Sequence, residues 1–163
     1  RRPVVPVVLS FTGHRPDKLG GYFWPNPVQE SVSAELRKRI LFHKPAWCYS
    51  GMAQGVDQWA AAICVELGIP FHAALPFPGQ DRVWPPKARA EFERLLGKAA
   101  SVKVVSPASY SPRRMQIRNE FLVQKCTVLI GVWDGSPGGT SNCVAYAKKI
   151  GRTLDLINPK ELV

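Results

Sequence analysis

The chain has 163 residues, the length of one ordinary domain, and 45% of them are hydrophobic, too many for a disordered chain. Lys and Arg number 22 against 12 Asp and Glu, a formal net charge of +10 that favours anionic partners such as phosphates, nucleotides or nucleic acid, although a basic surface also serves solubility alone. No stretch approaches the ~20 apolar residues of a membrane-spanning helix, so no membrane partner is expected.

In chain order, Val4 to Phe11 reads as a strand buried on both faces. Its apolar run is short, is broken by Pro6 and precedes no small-residue cleavage site, unlike a signal peptide. The opening Arg1 in place of Met suggests a trimmed or incomplete N-terminus. After a Gly/Pro/aromatic loop over Asp17 to Pro27, a helix is expected over Val28 to Phe42, with Val28, Val32, Leu36 and Ile40 on one face. Trp47 to Tyr49 is a short strand. Val56 to Leu67 is an Ala-rich helix stopped by Gly68, and Ile69 to Leu75 the next strand. A Pro-rich loop over Pro76 to Pro86 leads to a helix over Lys87 to Lys98 and a strand over Val102 to Val105. Then follow a helix (Arg114 to Lys125), a strand (Thr127 to Trp133), a helix (Thr140 to Ile150) and a last strand (Arg152 to Ile157). Short apolar runs alternating with amphipathic segments predict an α/β, Rossmann-like, mostly parallel sheet with helices on both faces, in three layers. Residues 1–163 are expected to form a single domain. Right-handed crossovers would place every strand-to-helix turn on one edge of the sheet, where such folds bind ligands.

Cys48, Cys64, Cys126 and Cys143 form no C-x-x-C pair and have no His at zinc-finger spacing, so they read as reduced cysteines of a cytoplasmic protein, with no metal site expected. Cys143 falls early in a helix, where a dipole lowers a thiol pKa; this suggests a reactive thiol, against the commoner reading of a buried small residue.

Three turns belong on the ligand edge. Thr12-Gly13-His14-Arg15-Pro16 combines a glycine that permits close backbone approach with two donors for phosphate or ribose. Ser50-Gly51-Met52-Ala53-Gln54-Gly55-Val56-Asp57 places two glycines before a helix start, an anion cradle that is neither a dinucleotide fingerprint nor a P-loop. Asp57 there reads as a helix cap, a ribose ligand or a proton-transfer group. Gly135 to Asn142 brings Gly138, Gly139, Thr140 and Ser141 to another helix start, suited to phosphate unless Thr or Ser merely caps the helix. Arg113, Arg114, Arg118, Asn119 and Glu120 lie near or on the helix before the Thr127 to Trp133 strand, with Arg114 and Arg118 on one face, which ordinarily reads as a solvated basic face.

Taken together, these motifs resemble the SLOG superfamily of Rossmann-like domains over about Val7 to Ile157. Ser50 to Asp57 and Arg118-Asn119 resemble segments of the DNA-processing protein DprA (Smf). Thr12 to Pro16 with Gly51 to Trp59 look like the stand-alone YpsA-type proteins, and Pro137 to Thr140 resembles the P-G-G-x-G-T loop of the LOG proteins. The resemblance implies a nucleotide-derived ligand (a nucleoside phosphate, an ADP-ribose-like molecule or NAD), no required cofactor, and a homodimer. The expected ligand-binding residues are Thr12, Gly13, His14, Arg15, Ser50, Gly51, Gly55, Asp57, Arg118, Asn119, Gly138, Gly139, Thr140 and Ser141. LOG enzymes split a base from ribose phosphate with an Arg before the strand and a Glu three residues after the loop's Thr. Arg118 matches the first, but Cys143 stands at the second and the loop is one residue short.

Three functions follow as alternatives: a sensor or carrier of a nucleotide-derived ligand; an N-glycosidic hydrolase using Asp57, Glu120 or His14 as acid or base; and a single-stranded nucleic-acid binder stacking bases on Trp24, Trp84 and Tyr110, unless these aromatics pack their own loops.

Overall fold

The computed structural model describes residues 5–106 and 111–162. Its elements run β1 (Val8–Gly13), α1 (Pro27–His43), β2 (Trp47–Ser50), α2 (Val56–Leu67), β3 (Phe71–Leu75), α3 (Pro86–Lys98), β4 (Ser101–Val104), α4 (Pro112–Lys125), β5 (Val128–Val132), α5 (Gly139–Lys149) and β6 (Thr153–Ile157), with 3-10 turns at Pro16–Lys18 and Pro159–Glu161. The six strands form one sheet in the order β4-β3-β2-β1-β5-β6, and every neighbouring pair is parallel. This is the three-layer α/β, Rossmann-like arrangement. No helix among the described residues is long and apolar enough to cross a membrane.

Local chemistry sets the element ends. Asn26 caps α1 in a reciprocal capping box with Gln29, and Pro27 occupies the first turn, where its missing N–H has no intrahelical partner to lose. Pro86 and Pro112 likewise start α3 and α4 ahead of the predicted Lys87 and Arg114. α2 has the predicted limits. Gly68 closes it in the left-handed conformation (φ +70), and the Ile69 amide then donates to the Cys64 carbonyl at 2.9 Å. That turn keeps Ile69 out of β3, which begins at Phe71 instead. β1 is shifted the same way. Its ladder starts at Val8 opposite Trp47 and runs on through Thr12 and Gly13, which pair with Gly131 and Val132 of β5. The predicted start, Val4, lies outside the described residues.

The larger core packs Leu9, Phe11, Ile130 and Val132 of the sheet against Val32, Leu36 and Ile40 of α1, Ile63 and Cys64 of α2, and Phe92 and Leu95 of α3. A smaller one joins Val123, Cys126, Leu129, Cys143 and Ala147 beneath α4 and α5. The strand order reverses at β1, since the chain adds β2, β3 and β4 on one side of it and β5 and β6 on the other. The turns that leave β1 and β5 therefore diverge, and a crevice opens between them at the carboxyl ends of the strands.

One contact fixes how α2 meets this crevice. A Cβ on Gly13 would lie 2.5 Å from Cγ2 of Val56, so the first residue of α2 rests directly on the β1 backbone. Gly97 is the opposite case, an exposed helical glycine with no atom within 4 Å of its would-be Cβ. Gly13→Ala is expected to lower stability by about 1–3 kcal/mol through overpacking. Gly97→Ala is expected to raise it by about 0.5–1 kcal/mol through helix propensity. Urea unfolding should move the two midpoints in opposite directions; a shift of the same sign would contradict this reading of the contact.

Candidate functional site

The crevice is a cleft of about 800 Å³, lined by Thr12, Gly13, His14 and Arg15 after β1, Asp57 of α2, Arg118 and Asn119 of α4, and Gly138, Gly139 and Thr140 at the start of α5. The three predicted turns thus contribute to one place. α5 starts on Gly138, whose φ of +142 suits glycine and which offers no side-chain cap. Neither Thr140 nor Ser141 caps the helix. The first amides of α5 are the ones a helix cannot satisfy internally, and nothing lies within 4 Å of a Cβ placed on Gly138 or Gly139, so the cradle is open. Thr140 lines it, whereas Ser141 is not part of the lining.

The loop before α2 is built differently from its sequence reading. The Ser50 hydroxyl donates to the Asp57 carbonyl at 2.8 Å and accepts from the Met52 amide at 3.2 Å, so Ser50 braces the loop from below. The Gly51 carbonyl accepts from Nη1 of Arg118 at 2.7 Å, and a Cβ there would sit 2.3 Å from that nitrogen. Gly51 is a glycine because a guanidinium occupies its side-chain space. Gly55 (φ +99) lies on the far side of the loop, where its would-be Cβ comes 2.8 Å from the His14 carbonyl oxygen. None of these three residues lines the cleft; they position those that do.

Asp57 does line the cleft. It is the second residue of α2, whose capping position is Gly55 with no side-chain cap, so the capping role does not hold. Its Oδ2 accepts instead from the Ala53 amide at 3.3 Å. Burial pushes its carboxyl above the ordinary range, opposed by the positive charges of Arg118 and Arg15. Arg118 is only 3% exposed, which overturns its reading as part of a solvated basic face. Burial lowers its pKa, with Asp57 opposing, and Nε donates to the Asn119 side chain at 3.1 Å. Arg113 is exposed, and Nε of Arg114 donates to the Ser106 hydroxyl at 3.0 Å.

His14 is buried and already engaged. Its Nε2 lies 2.9 Å from Oδ1 of Asp134 and 3.2 Å from the Asp134 amide nitrogen. Hydrogen bonds from the Ser136 hydroxyl and amide, and then the adjacent His14, hold the Asp134 carboxyl well below the usual range. At the mouth, Nζ of Lys18 donates to the Ser136 hydroxyl at 3.2 Å. Asp134, Ser136 and Lys18 were missed in the sequence. Their signal is the register that pairs Gly13 with Val132 and so brings the following residues of both turns together. Glu120 accepts from Gln116 at 3.2 Å and lies outside the cleft lining, so of the carboxyl candidates only Asp57 faces the cleft.

Two other sequence readings are decided. Cys143 is fully buried and burial pushes its thiol up to about 12, so the commoner reading, a buried small residue, holds over the reactive thiol. Trp84 packs edge-on against Phe92 at 5.2 Å, and Trp24 lies 4.1 Å beneath Nζ of Lys87. Trp84 thus packs its loop onto α3, and neither tryptophan lines the cleft, while Tyr110 lies outside the described residues. Among the described residues no three His, Cys, Asp or Glu side chains come together in a way that could hold a metal ion.

All four cysteines are buried free thiols. A thiol reagent near neutral pH is expected to leave the folded protein unlabelled and to modify four sites once the chain is unfolded; fast labelling of Cys143 in the folded state would reverse this assignment. Asp57 gives a signed pH dependence. Its folded-state pKa is raised, so its contribution to stability is present below the unfolded pKa and is lost as pH rises through the folded one. Asp57→Asn copies the neutral form. The variant should therefore gain stability relative to the parent as pH rises above the ordinary carboxylate range of about pH 4. A relative loss above that range, read from unfolding midpoints, would mean that Arg118 holds the carboxylate ionised.

Comparisons with known proteins agree with this architecture. The SPbeta prophage-derived protein YoqJ of Bacillus subtilis (strain 168) is 31% identical over 151 residues, covering 81% of this chain and 83% of that protein. The DNA processing protein A of Helicobacter pylori, described for its single-stranded DNA binding mode, superposes with a TM-score of 0.68 at 16% identity, over 94% of this chain but only 66% of the larger protein. The molybdenum cofactor carrier protein of Chlamydomonas reinhardtii superposes with a TM-score of 0.58 at 19% identity, over 93% of this chain and 76% of that one. At such identities these two likenesses show the fold alone. The YspA SLOG family (YpsA) matches residues 9–162, and the chain belongs to that family.

Proposed function

We propose that the cleft binds a nucleotide-derived small ligand, such as a nucleoside phosphate, an ADP-ribose-like molecule or NAD, with a phosphate group seated at the start of α5, and that the protein senses or carries that ligand. The observation that carries this reading is the uncapped start of α5, which opens into a cleft shared with Arg15, Lys18 and the buried Arg118. Orphan amides, the helix dipole and preplaced guanidinium groups all act on the same sign of charge. The volume lies within the ~300–1,000 Å³ of ordinary ligand sites. The Helicobacter pylori neighbour is described for its single-stranded DNA binding mode and the Chlamydomonas reinhardtii neighbour is a molybdenum cofactor carrier, which supports a binding or carrying role. A homodimer acting in the cytoplasm, with no required cofactor, completes the proposal.

Nucleic-acid binding is the weaker alternative, because neither tryptophan expected to stack bases lines the basic cleft: Trp84 packs against Phe92 and Trp24 lies away from it beside Lys87. Thermal shift against nucleoside monophosphates, NAD, ADP-ribose, cyclic nucleotides and a short single-stranded DNA, at low and moderate salt, separates the two. One small ligand should raise the melting temperature at both salts, and Arg15→Ala should weaken it about ten-fold or more. If DNA alone shifts the protein, and salt abolishes the shift, nucleic acid is the partner.

A second reading rests on Asp57, a buried carboxyl raised above its usual range and facing the cleft. Such a group, when protonated, delivers its proton to the base as the glycosidic bond breaks, while water adds to the ribose carbon and returns a proton to the carboxylate, which is N-glycosidic hydrolysis. Asp57→Asn would then keep ligand binding and lose base release. No base released from any nucleoside monophosphate by the parent protein would eliminate this reading.

A further inference from the structure

A second recess lies behind the loop that walls the cleft. It has a volume of about 180 Å³, and Trp24, Tyr22 and Trp59 contribute to its lining together with Ser33, Gln54 and Gln58. Pro16 and Gly55 also line it, and they form the partition from the cleft. The partition is closed there, since a Cβ on Gly55 would lie 2.8 Å from the His14 carbonyl oxygen and 3.2 Å from Cδ of Pro16.

The recess and the cleft differ in chemistry. Among the described residues, no Lys or Arg lines the recess, whereas the cleft carries Arg15, Lys18 and Arg118. The carboxylates at the recess, Glu66 and Glu91, are paired with Arg37 and Arg94. It therefore has no attraction for a phosphate or a carboxylate. What it offers is aromatic surface plus hydrogen-bonding groups. Gln54 and Ser33 have no side-chain partner in the protein among the described residues. Gln58 does not compete for them, because its amide donates to the Met52 carbonyl at 3.1 Å. Trp24 is held in place before any ligand arrives: Nζ of Lys87 donates to its carbonyl at 2.9 Å and sits 4.1 Å from its ring centroid.

We infer that this recess is a separate binding site for an uncharged planar nitrogen heterocycle of the free-nucleobase class, its ring against Trp24 and its polar edge read by Gln54. A cavity of about 150 Å³ takes a benzene ring, so this one holds a single ring or the inner ring of a fused pair. A side-chain amide reads a base through paired donor and acceptor contacts, and aromatic side chains stack on any base face. The inference does not rest on the cleft's ligand. That reading is tested with phosphate-bearing ligands and Arg15→Ala, so either can fail alone.

Calorimetric titration of the purified protein with adenine, guanine, cytosine and uracil tests it. At least one base should bind saturably. Gln54→Ala should weaken it about 5-fold, the share of one hydrogen bond, and Trp24→Ala about ten-fold, the share of one stacked ring. Saturating inorganic phosphate should not displace it. The inference is overturned if no base binds saturably, if affinity survives in either variant, or if phosphate displaces the base.

Discussion

Val56 rests on Gly13, and most of the site hangs on that contact. Because β1 ends without a side chain, the first turn of α2 sits against the strand backbone. The preceding loop must then turn in a very small space, and it does so with Met52 at φ +60 and Gly55 at φ +99. A buried non-glycine residue in the left-handed region stores strain that the surroundings have to compensate. The compensation is visible: Gln58 and Gln80 both donate to the Met52 carbonyl, and Ser50 accepts from its amide. This rigid loop turns the Gly51 carbonyl toward Arg118 and lays Asp57 on the cleft floor.

The same loop explains how an arginine survives at 3% exposure. Removing a guanidinium from water costs several kcal/mol even after relaxation, and an apolar residue of similar volume would generally be more stabilising. Arg118 is held by neutral oxygens, those of Gly51 and Asn119, with Asp57 acting on it through space. Neutral partners leave most of its positive charge uncompensated and pointed at the cleft. Such an arrangement is poorly explained as a stability device and well explained as a preplaced charge for an anion.

The fold was largely legible in the sequence because its signals are local. Alternation of apolar runs and Gly68 as a stop each act within a few residues, and the misplacement at Ile69 comes from capping that extends only slightly further. The site was legible as a set of turns but not as a set of side chains. Nothing local in Ser50-Gly51 separates a ligand cradle from a brace; the difference lies in Arg118, which arrives from α4 to fill the space a Gly51 side chain would take. His14 reads as a free donor until Asp134 appears opposite it, 120 positions along the chain. Cys143 leaves a reactive and a buried thiol both open until the smaller core closes over it. In each case a long-range partner decides what the local sequence leaves open.

Strand order decides which turns meet, and it also determines that two recesses exist. The reversal at β1 opens the cleft between the β1 and β5 turns, whereas the recess forms because the long segment between β1 and α1 folds back over α2, tied to α3 through Lys87 and Trp24. The segment after β1 thus serves both sides: Arg15 faces the cleft, and Pro16, Tyr22 and Trp24 face the recess. Among the lining residues, the Lys and Arg side chains gather on the cleft side of the partition and the tryptophans on the recess side. This segregation has a physical consequence, because an anion gains on the first side from guanidinium groups and helix dipole and gains nothing on the second. The two proposed ligands, one anionic and one uncharged, would thereby be sorted within one small domain without a second fold to house them.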